Sequence, residues 1–304
     1  MEAIMNHPLY RVHNIDSVMS SLWDFYKKKF VVLFIASFIM SLCIQLISLN
    51  FDFAELQTMT DPMVMLEKIK SFILPMLLML LANLVFSMIL QYYVIYSPVN
   101  DNVNIFNSIY KSLKYFFPYL AILILFAFFG SFALMLGLLA LIIGVFFSML
   151  YLMMIFMFIL PILMVEGNNI ANGISRTIKL AHKGFWSNMG WAAVFILILL
   201  VISIVASAIV ALPFTGSFLK MIANPEAAGE LINYMYNPVF IILTSLVNAL
   251  TFPLMAIFST ILYFNGRARE DGLQIADPIT NEPPKVTVED LYAKPQPEDS
   301  NEEK

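Results

Sequence analysis

The chain has 304 residues, of which 60% are hydrophobic and only 12% charged, against roughly 25% charged in ordinary soluble proteins. A surface so poor in charge excludes an ordinary soluble domain and suits one that meets lipid. The net charge of -4 is uneven: Glu270 to Lys304 holds ten acidic residues and three basic ones, a balance of -7, which leaves +3 on the rest.

The first thirty residues, MEAIMNHPLYRVHNIDSVMSSLWDFYKKKF, contain no early apolar run and no small-residue cleavage site. The first apolar helix is therefore expected to act as its own uncleaved insertion signal. Cys43, the single cysteine, lies within that helix, so no disulfide forms within one chain.

A helix crossing a hydrocarbon core of roughly 30 Å needs about 20 apolar residues, and a charge at its centre costs on the order of 2.5–3.5 kcal/mol. Stretches without Asp, Glu, Lys or Arg therefore measure the spans. They run from Phe30 to Phe51 (22 residues), Ser71 to Asn100 (30), Tyr115 to Val165 (51), Gly184 to Leu219 (36) and Leu231 to Gly266 (36). As one helix the third would reach roughly 75 Å, so it divides at a tight turn. Gly137 is the expected corner, with Gly130 and Gly144 as competitors. The expectation is an all-α, polytopic bundle of six spans, about 30–50, 72–96, 116–136, 140–164, 187–212 and 239–264. A short N-terminal segment (1–15) precedes this membrane domain (16–269), and a disordered acidic tail (270–304) follows it.

Cytoplasmic loops are enriched in Lys and Arg. With the N-terminus inside, fourteen of the seventeen Lys and Arg lie on the cytoplasmic side, and only Lys68, Lys70 and Lys220 lie opposite. That pattern predicts a bacterial cytoplasmic membrane protein with both ends in the cytoplasm.

Each outward span follows an amphipathic segment, here termed an elbow: Asp16–Lys29, Asn104–Lys114 and Asn169–Lys183. Apolar residues four apart (Ile105, Ile109 and Leu113; Ile170, Ile174 and Ile178) share one face. Asp16 and Asn104 are the expected N-caps. Each elbow ends in basic residues followed by aromatics, so Lys27, Lys28, Lys29, Phe30, Lys114, Tyr115, Lys183 and Trp186 are expected to anchor at a headgroup layer containing anionic lipids. The chain then reads as three hairpins, each led by an elbow. Hairpins 1 and 3 share further detail: Asp61-Pro62 with Glu67, and Asn224-Pro225 with Glu230, each the Asx-Pro start of a helix.

No nucleophile–base pair, nucleotide loop or metal-ligand spacing is visible, and His7, His13 and His182 have no ligand partners in sequence. Neither an enzyme, a cofactor or metal site, nor a nucleic-acid partner is expected. No ionisable residue lies at mid-depth, where a proton or ion pathway would need one. The deep polar residues are Gln45, Asn83, Gln91 and Asn248. Hydrogen bonding between helices is their plainest use; the sharper expectation is that Asn83, Gln91 and Asn248 converge on a polar cavity. Glu166 and Arg176, at opposite ends of the third elbow, are expected to pair as a structural lock. In the tail, VTVEDLYAK (286–294) could dock a protein partner.

The stretch FILPILMVEGNNIANGISRTIKLAHKGFWSNMGW (158–191) and the close YFNGRAREDGL (263–273) resemble the bacterial glycerophosphoryl diester phosphodiesterase membrane-domain family and its six-helix relatives. The shared pattern is a helix ending in Pro (Pro161), an acidic residue (Glu166), a short helix with a basic residue (Arg176) and a Leu (Leu180), then an aromatic pair (Phe185, Trp186). A Tyr followed by Arg and an acidic-Gly pair closes it. The likeness covers roughly residues 15–275. The family's founding arrangement adds a phosphodiesterase barrel, and such a barrel needs roughly 250 residues. About 40 residues follow the last span here, so the resemblance implies a membrane domain without that activity. The functional expectation is a scaffold or accessory subunit; the alternative is a carrier or channel for lipid-like or hydrophobic small molecules.

Overall fold

Backbone amides find no partner in hydrocarbon, so a chain this apolar satisfies them along its own helices. The computed structural model describes residues 2–50, 61–167, 169–215 and 236–273, and among these it contains no strand. In chain order the helices are α1 (Glu2–Met5), α2 (Ile15–Ser48), α3 (Pro62–Tyr96), α4 (Ile105–Leu113), α5 (Phe116–Leu139), α6 (Leu141–Glu166), α7 (Ile170–His182), α8 (Phe185–Ala211, prolonged by a 3-10 turn at Leu212–Phe214) and α9 (Pro238–Glu270). Six of them, α2, α3, α5, α6, α8 and α9, are long and apolar enough to cross a membrane. The chain is a multi-pass helical bundle of three hairpins, α2–α3, α5–α6 and α8–α9, each packed within itself. Lys220, Asn224-Pro225, Glu230 and the tail segment 286–294 lie outside the described residues.

The last helix closes the bundle. α9 packs most extensively on α2 and also meets α3, α6, α7 and α8. All eleven residues from Ala256 to Gly266 are buried, with Ser259, Thr260 and Asn265 hydrogen-bonded to neighbouring segments. Burial is concentrated in the half of the bundle that carries the elbows: Val18–Tyr26 in α2, Met88–Ile95 in α3, Met157–Met164 in α6 and Leu254–Ala268 in α9. Tyr96 and Tyr115 hold three helices together there. Both hydroxyls donate to the carbonyl of Met164 (2.6 and 3.1 Å), one of the last-turn carbonyls that α6 leaves without a helical donor.

Several expectations about local structure are corrected. The first elbow is not separate. Asp16–Lys29 forms the opening turns of α2, whose 34 residues extend about 51 Å. No Gly or Pro interrupts residues 15–48. In contrast, Pro118 cannot donate to the carbonyl of Lys114 and so separates α4 from α5; Gly184 (φ +89°) makes the corner between α7 and α8. The N-cap of α2 is Asn14, not Asp16: Asn14 Oδ1 accepts from Ser17 N–H and Ser17 Oγ accepts from Asn14 N–H (2.8 and 2.9 Å). Asn104 does cap α4, and Asp61 with Pro62 starts α3.

The corner of the long apolar run falls at Ala140–Leu141, with Leu141 at φ +58°, one turn past Gly137. The glycines serve a different purpose. A Cβ on Gly137 would stand 2.8 Å from the Gly144 carbonyl oxygen, and one on Gly144 would collide with the carbonyl oxygen of Gly137. Their lack of side chains lets α5 and α6 meet backbone to backbone beside the turn.

The anchors divide as well. Lys27, Lys28, Phe30, Lys114, Lys183 and Trp186 are exposed, and Lys29 is half-buried over the Tyr93 ring (5.9 Å to its centroid). Tyr115 is instead buried, its hydroxyl spent on Met164 as above.

The N-terminal segment is docked beneath the bundle. His7 packs on Phe25 of α2 and Phe264 of α9 (centroids 6.1 and 4.7 Å). Its Nδ1 accepts from Leu9 N–H and its Nε2 donates to the Val94 carbonyl (3.1 and 3.2 Å). Asn265 and Arg269 hold the backbone of His13, and the Tyr10 hydroxyl donates to Asp271. These bonds require a neutral His7 ring, since a proton on Nδ1 would oppose the Leu9 N–H. Burial pushes both imidazoles down to about 4, the hydrogen bond to Val94 (for His7) and that to Leu9 (for His13) opposing it; Arg11 and Arg269 lower His13 further. Among the described residues, no charged side chain perturbs His7. The released segment takes up protons near pH 6.5 and the docked one only near 4, so docking is full above 6.5 and weakens as pH falls through that window. Amides of residues 7–13 should lose more than tenfold hydrogen-exchange protection between pH 7 and pH 5, after correction for intrinsic rates. Equal protection at both pH values would contradict this.

Candidate functional site

A cavity of about 320 Å³ lies at the centre of the bundle, within the usual range of roughly 300–1,000 Å³ for ligand sites. Five of the six long helices line it: α3 (Asn83, Ser87, Gln91), α5 (Tyr119), α6 (Phe156, Met157), α8 (Leu199, Ser203) and α9 (Thr251, Phe252, Ser259). From Asn83 to Gln91 the α3 wall rises over eight residues, about 12 Å. Asn83, Ser87 and Ser203 line the cavity yet are exposed on the surface of the bundle. α3 and α8 face one another across it with at most marginal contact among the described residues. The cavity is thus partly open, along Asn83, Ser87 and Ser203.

Its floor is a hydrogen-bonded layer joining α3 to α9. Gln91 Nε2 donates to Thr260 Oγ1 (2.6 Å) and the Ala256 carbonyl (3.3 Å), and Gln91 Oε1 accepts from Ser259 Oγ (2.7 Å). Gln91, Ser259 and Thr260 are all buried, so the network fixes the orientation of the amide.

An ionic cluster lies on the elbow side of this floor. Gly167, at φ +113°, lets α7 fold back antiparallel along α6. That reversal carries Arg176 to Glu166, with Nε to Oε2 at 2.5 Å and Nη2 to Oε1 at 2.9 Å. The same guanidinium reaches Glu270 of α9 through Nη1 (3.2 Å) and Nη2 (2.8 Å). Tyr263 and Arg267 complete the coordination of Glu166 Oε1 (3.1 and 3.4 Å), and Lys179 reaches Glu270 (3.3 Å). Glu166, Arg176 and Glu270 retain only 9–15% side-chain exposure. Glu166 first, and then Glu270, raise the Arg176 pKa above its already high ordinary value. The cluster joins α6, α7 and α9 with a cation that does not titrate.

The expected convergence is thus met in part. Asn83 and Gln91 line the cavity; Asn83 Nδ2 donates to the Met79 carbonyl of its own helix (2.9 Å). Asn248 does not belong there. Its Nδ2 donates to Ser41 Oγ (3.0 Å) and ties α9 to α2, because the cavity-facing stripe of α9 runs through Thr251, Met255 and Ser259. The Glu166–Arg176 pair forms, and it recruits Tyr263, Arg267 and Glu270, none of which was expected in the lock. The signal for them lay in the two separate motif stretches, whose polar residues meet here. Tyr119, Ser87, Ser203 and Ser259 carried no signal, because single hydroxyls are common in membrane helices. No family model matches the chain, and no curated protein or solved structure does either.

Proposed function

We propose that this chain is a non-catalytic protein of a bacterial cytoplasmic membrane that takes one lipid-like molecule from the bilayer into its central cavity, as a carrier does. The observation that carries this reading is the partly open cavity with apolar walls and a polar floor. A bilayer molecule enters between α3 and α8, keeps its tail in contact with lipid, and places its polar end on the Gln91 layer. The fourteen-to-three division of Lys and Arg supports a cytoplasmic elbow side. On that side the tight packing, the docked N-terminus and the ionic cluster close the bundle. The scaffold expectation rests on the lack of catalytic and intramembrane ionisable residues, the basic elbows and the acidic tail, and it gives the cavity no role. Kinship with the six-helix membrane-domain family is part of the proposal; its support is that Glu166, Arg176, Tyr263 and Arg267, from both motif stretches, assemble into one cluster.

Native mass spectrometry of the full chain, extracted in a mild detergent, tests the reading. The expected result is one lipid-sized adduct per chain, lost in Ser87→Trp, which fills the cavity mouth without touching the floor or the ionic cluster. A chain that carries no adduct, or an adduct that survives Ser87→Trp in a stably folded variant, would contradict it.

A further inference from the structure

The bonding state of the cavity's polar groups narrows the class of molecule it takes. This step rests on the reading that the cavity binds a lipid-like molecule. Gln91 Nε2 donates to Thr260 Oγ1 and the Ala256 carbonyl, two acceptors only 2.8 Å apart. The Ser259 hydrogen is engaged on Gln91 Oε1 or the Ala256 carbonyl. That of Thr251 is directed at the Val247 or Asn248 carbonyl. The Ser259 and Thr251 hydroxyls therefore offer a ligand only oxygen lone pairs.

Donors remain elsewhere in the lining. Tyr119 is only 2% exposed, and its hydroxyl makes no hydrogen bond with any described residue. The Ser87 and Ser203 hydroxyls are likewise uncommitted among the described residues. Asn83 has spent one amide hydrogen on Met79 and keeps the other, together with its oxygen. The Tyr119 hydroxyl keeps some accessible surface beside the cavity, so it is a donor that a ligand can meet. Among the described residues, no Asp, Glu, Lys, Arg or His lines the cavity.

We infer that the cavity selects a lipid whose head is uncharged and carries hydroxyl groups, a monoacyl- or diacylglycerol-like molecule, with Tyr119 as the donor that reads the head. A hydroxyl both donates and accepts. It can donate to Gln91 Oε1 or Ser259 Oγ while accepting from Tyr119, Ser87 or Ser203. A phosphate offers only acceptors and a negative charge. It could accept from Tyr119, Ser87 or Ser203, but no cation would offset the lost hydration of its charge, and the lone pairs of Ser259 and Thr251 would face it. A quaternary ammonium would likewise enter without a carboxylate to balance it.

The test is competition on the full chain in detergent, read by native mass spectrometry. Dioctanoylglycerol, dioctanoyl phosphatidylglycerol and dioctanoyl phosphatidylcholine are offered at equal concentration. The diacylglycerol should bind at least tenfold better than either phospholipid. Tyr119→Phe, which removes one oxygen and no packing volume, should narrow that preference at least threefold and leave phospholipid binding unchanged. Ser203→Lys, which places a cation at the open rim, should raise phosphatidylglycerol binding. If either phospholipid binds as well as the diacylglycerol in a manner that Ser87→Trp abolishes, the headgroup inference fails while the cavity reading stands. If none of the three binds in a manner that Ser87→Trp abolishes, the cavity reading fails and takes the inference with it. Tyr119→Phe with unchanged selectivity would remove Tyr119 from its role.

Discussion

Replacing Arg176 by Gln should destabilise the bundle by about 3 kcal/mol, the scale on which removing one partner of a buried ion pair leaves its counter-charge stranded. The variant would leave Glu166 and Glu270, both largely buried, without the cation they share. Arg267, at 3.4 Å, would still compensate Glu166 in part. Glu166→Gln should cost less, because Arg176 keeps both bonds to Glu270 and the amide oxygen still accepts from Tyr263. Arg176→Lys should fall between them, since an ammonium cannot reproduce the paired fork geometry. Lys179 is 64% exposed, so Lys179→Gln should be nearly silent. Thermal unfolding in one detergent, followed for all four variants, checks the order. Near-wild-type stability in both Arg176→Gln and Glu166→Gln would contradict the lock.

Gly144→Val should be as damaging, through sterics rather than charge. The new side chain would be driven into the backbone carbonyl of Gly137, and α5 and α6 would have to separate. Overpacking of this kind costs about 1–3 kcal/mol, and more when backbone must move. Here backbone must move, so a loss of about 3 kcal/mol is expected, with lower yield of folded protein. Two other glycines are controls. A Cβ on Gly130 meets only Leu152, at 3.4 Å, and one on Gly190 meets nothing within 4 Å. Gly130→Ala should be tolerated, and Gly190→Ala should be neutral or stabilise by up to about 1 kcal/mol through helix propensity. Equal losses for Gly144→Val and Gly190→Ala would contradict the close approach.

The six spans were legible because an intramembrane charge is costly, so charge-free stretches report contact with lipid. They do not report where a helix ends. Outside lipid a helix tolerates Lys freely, and α2 runs through Lys27, Lys28 and Lys29 without a break. The corner at Ala140–Leu141 was misplaced for a related reason. Glycine at a turn and glycine at a close helix contact look alike in sequence, and Gly137 and Gly144 serve the contact.

Which face a deep polar residue takes is harder still. α3 carries Asn83, Ser87 and Gln91 four residues apart on one face, but such a stripe can face a cavity or a helix seam, and on α9 the polar residues fall on more than one face. Asn83 reached the cavity and Asn248 the α2 seam. The Glu166–Arg176 pair was readable because both residues are charged and lie one short helix apart. Glu270, ninety-four residues beyond Arg176, could be placed there only once the bundle had closed.

The central claim is that a molecule from the bilayer occupies the space between α3 and α8. An experimental structure of the full chain in nanodiscs of native lipid tests it most directly. The account predicts one elongated density entering between α3 and α8, ending on Gln91 and Ser259 and touching Tyr119. A seam closed by direct packing of α3 on α8, or a cavity with no elongated density in it, would contradict it.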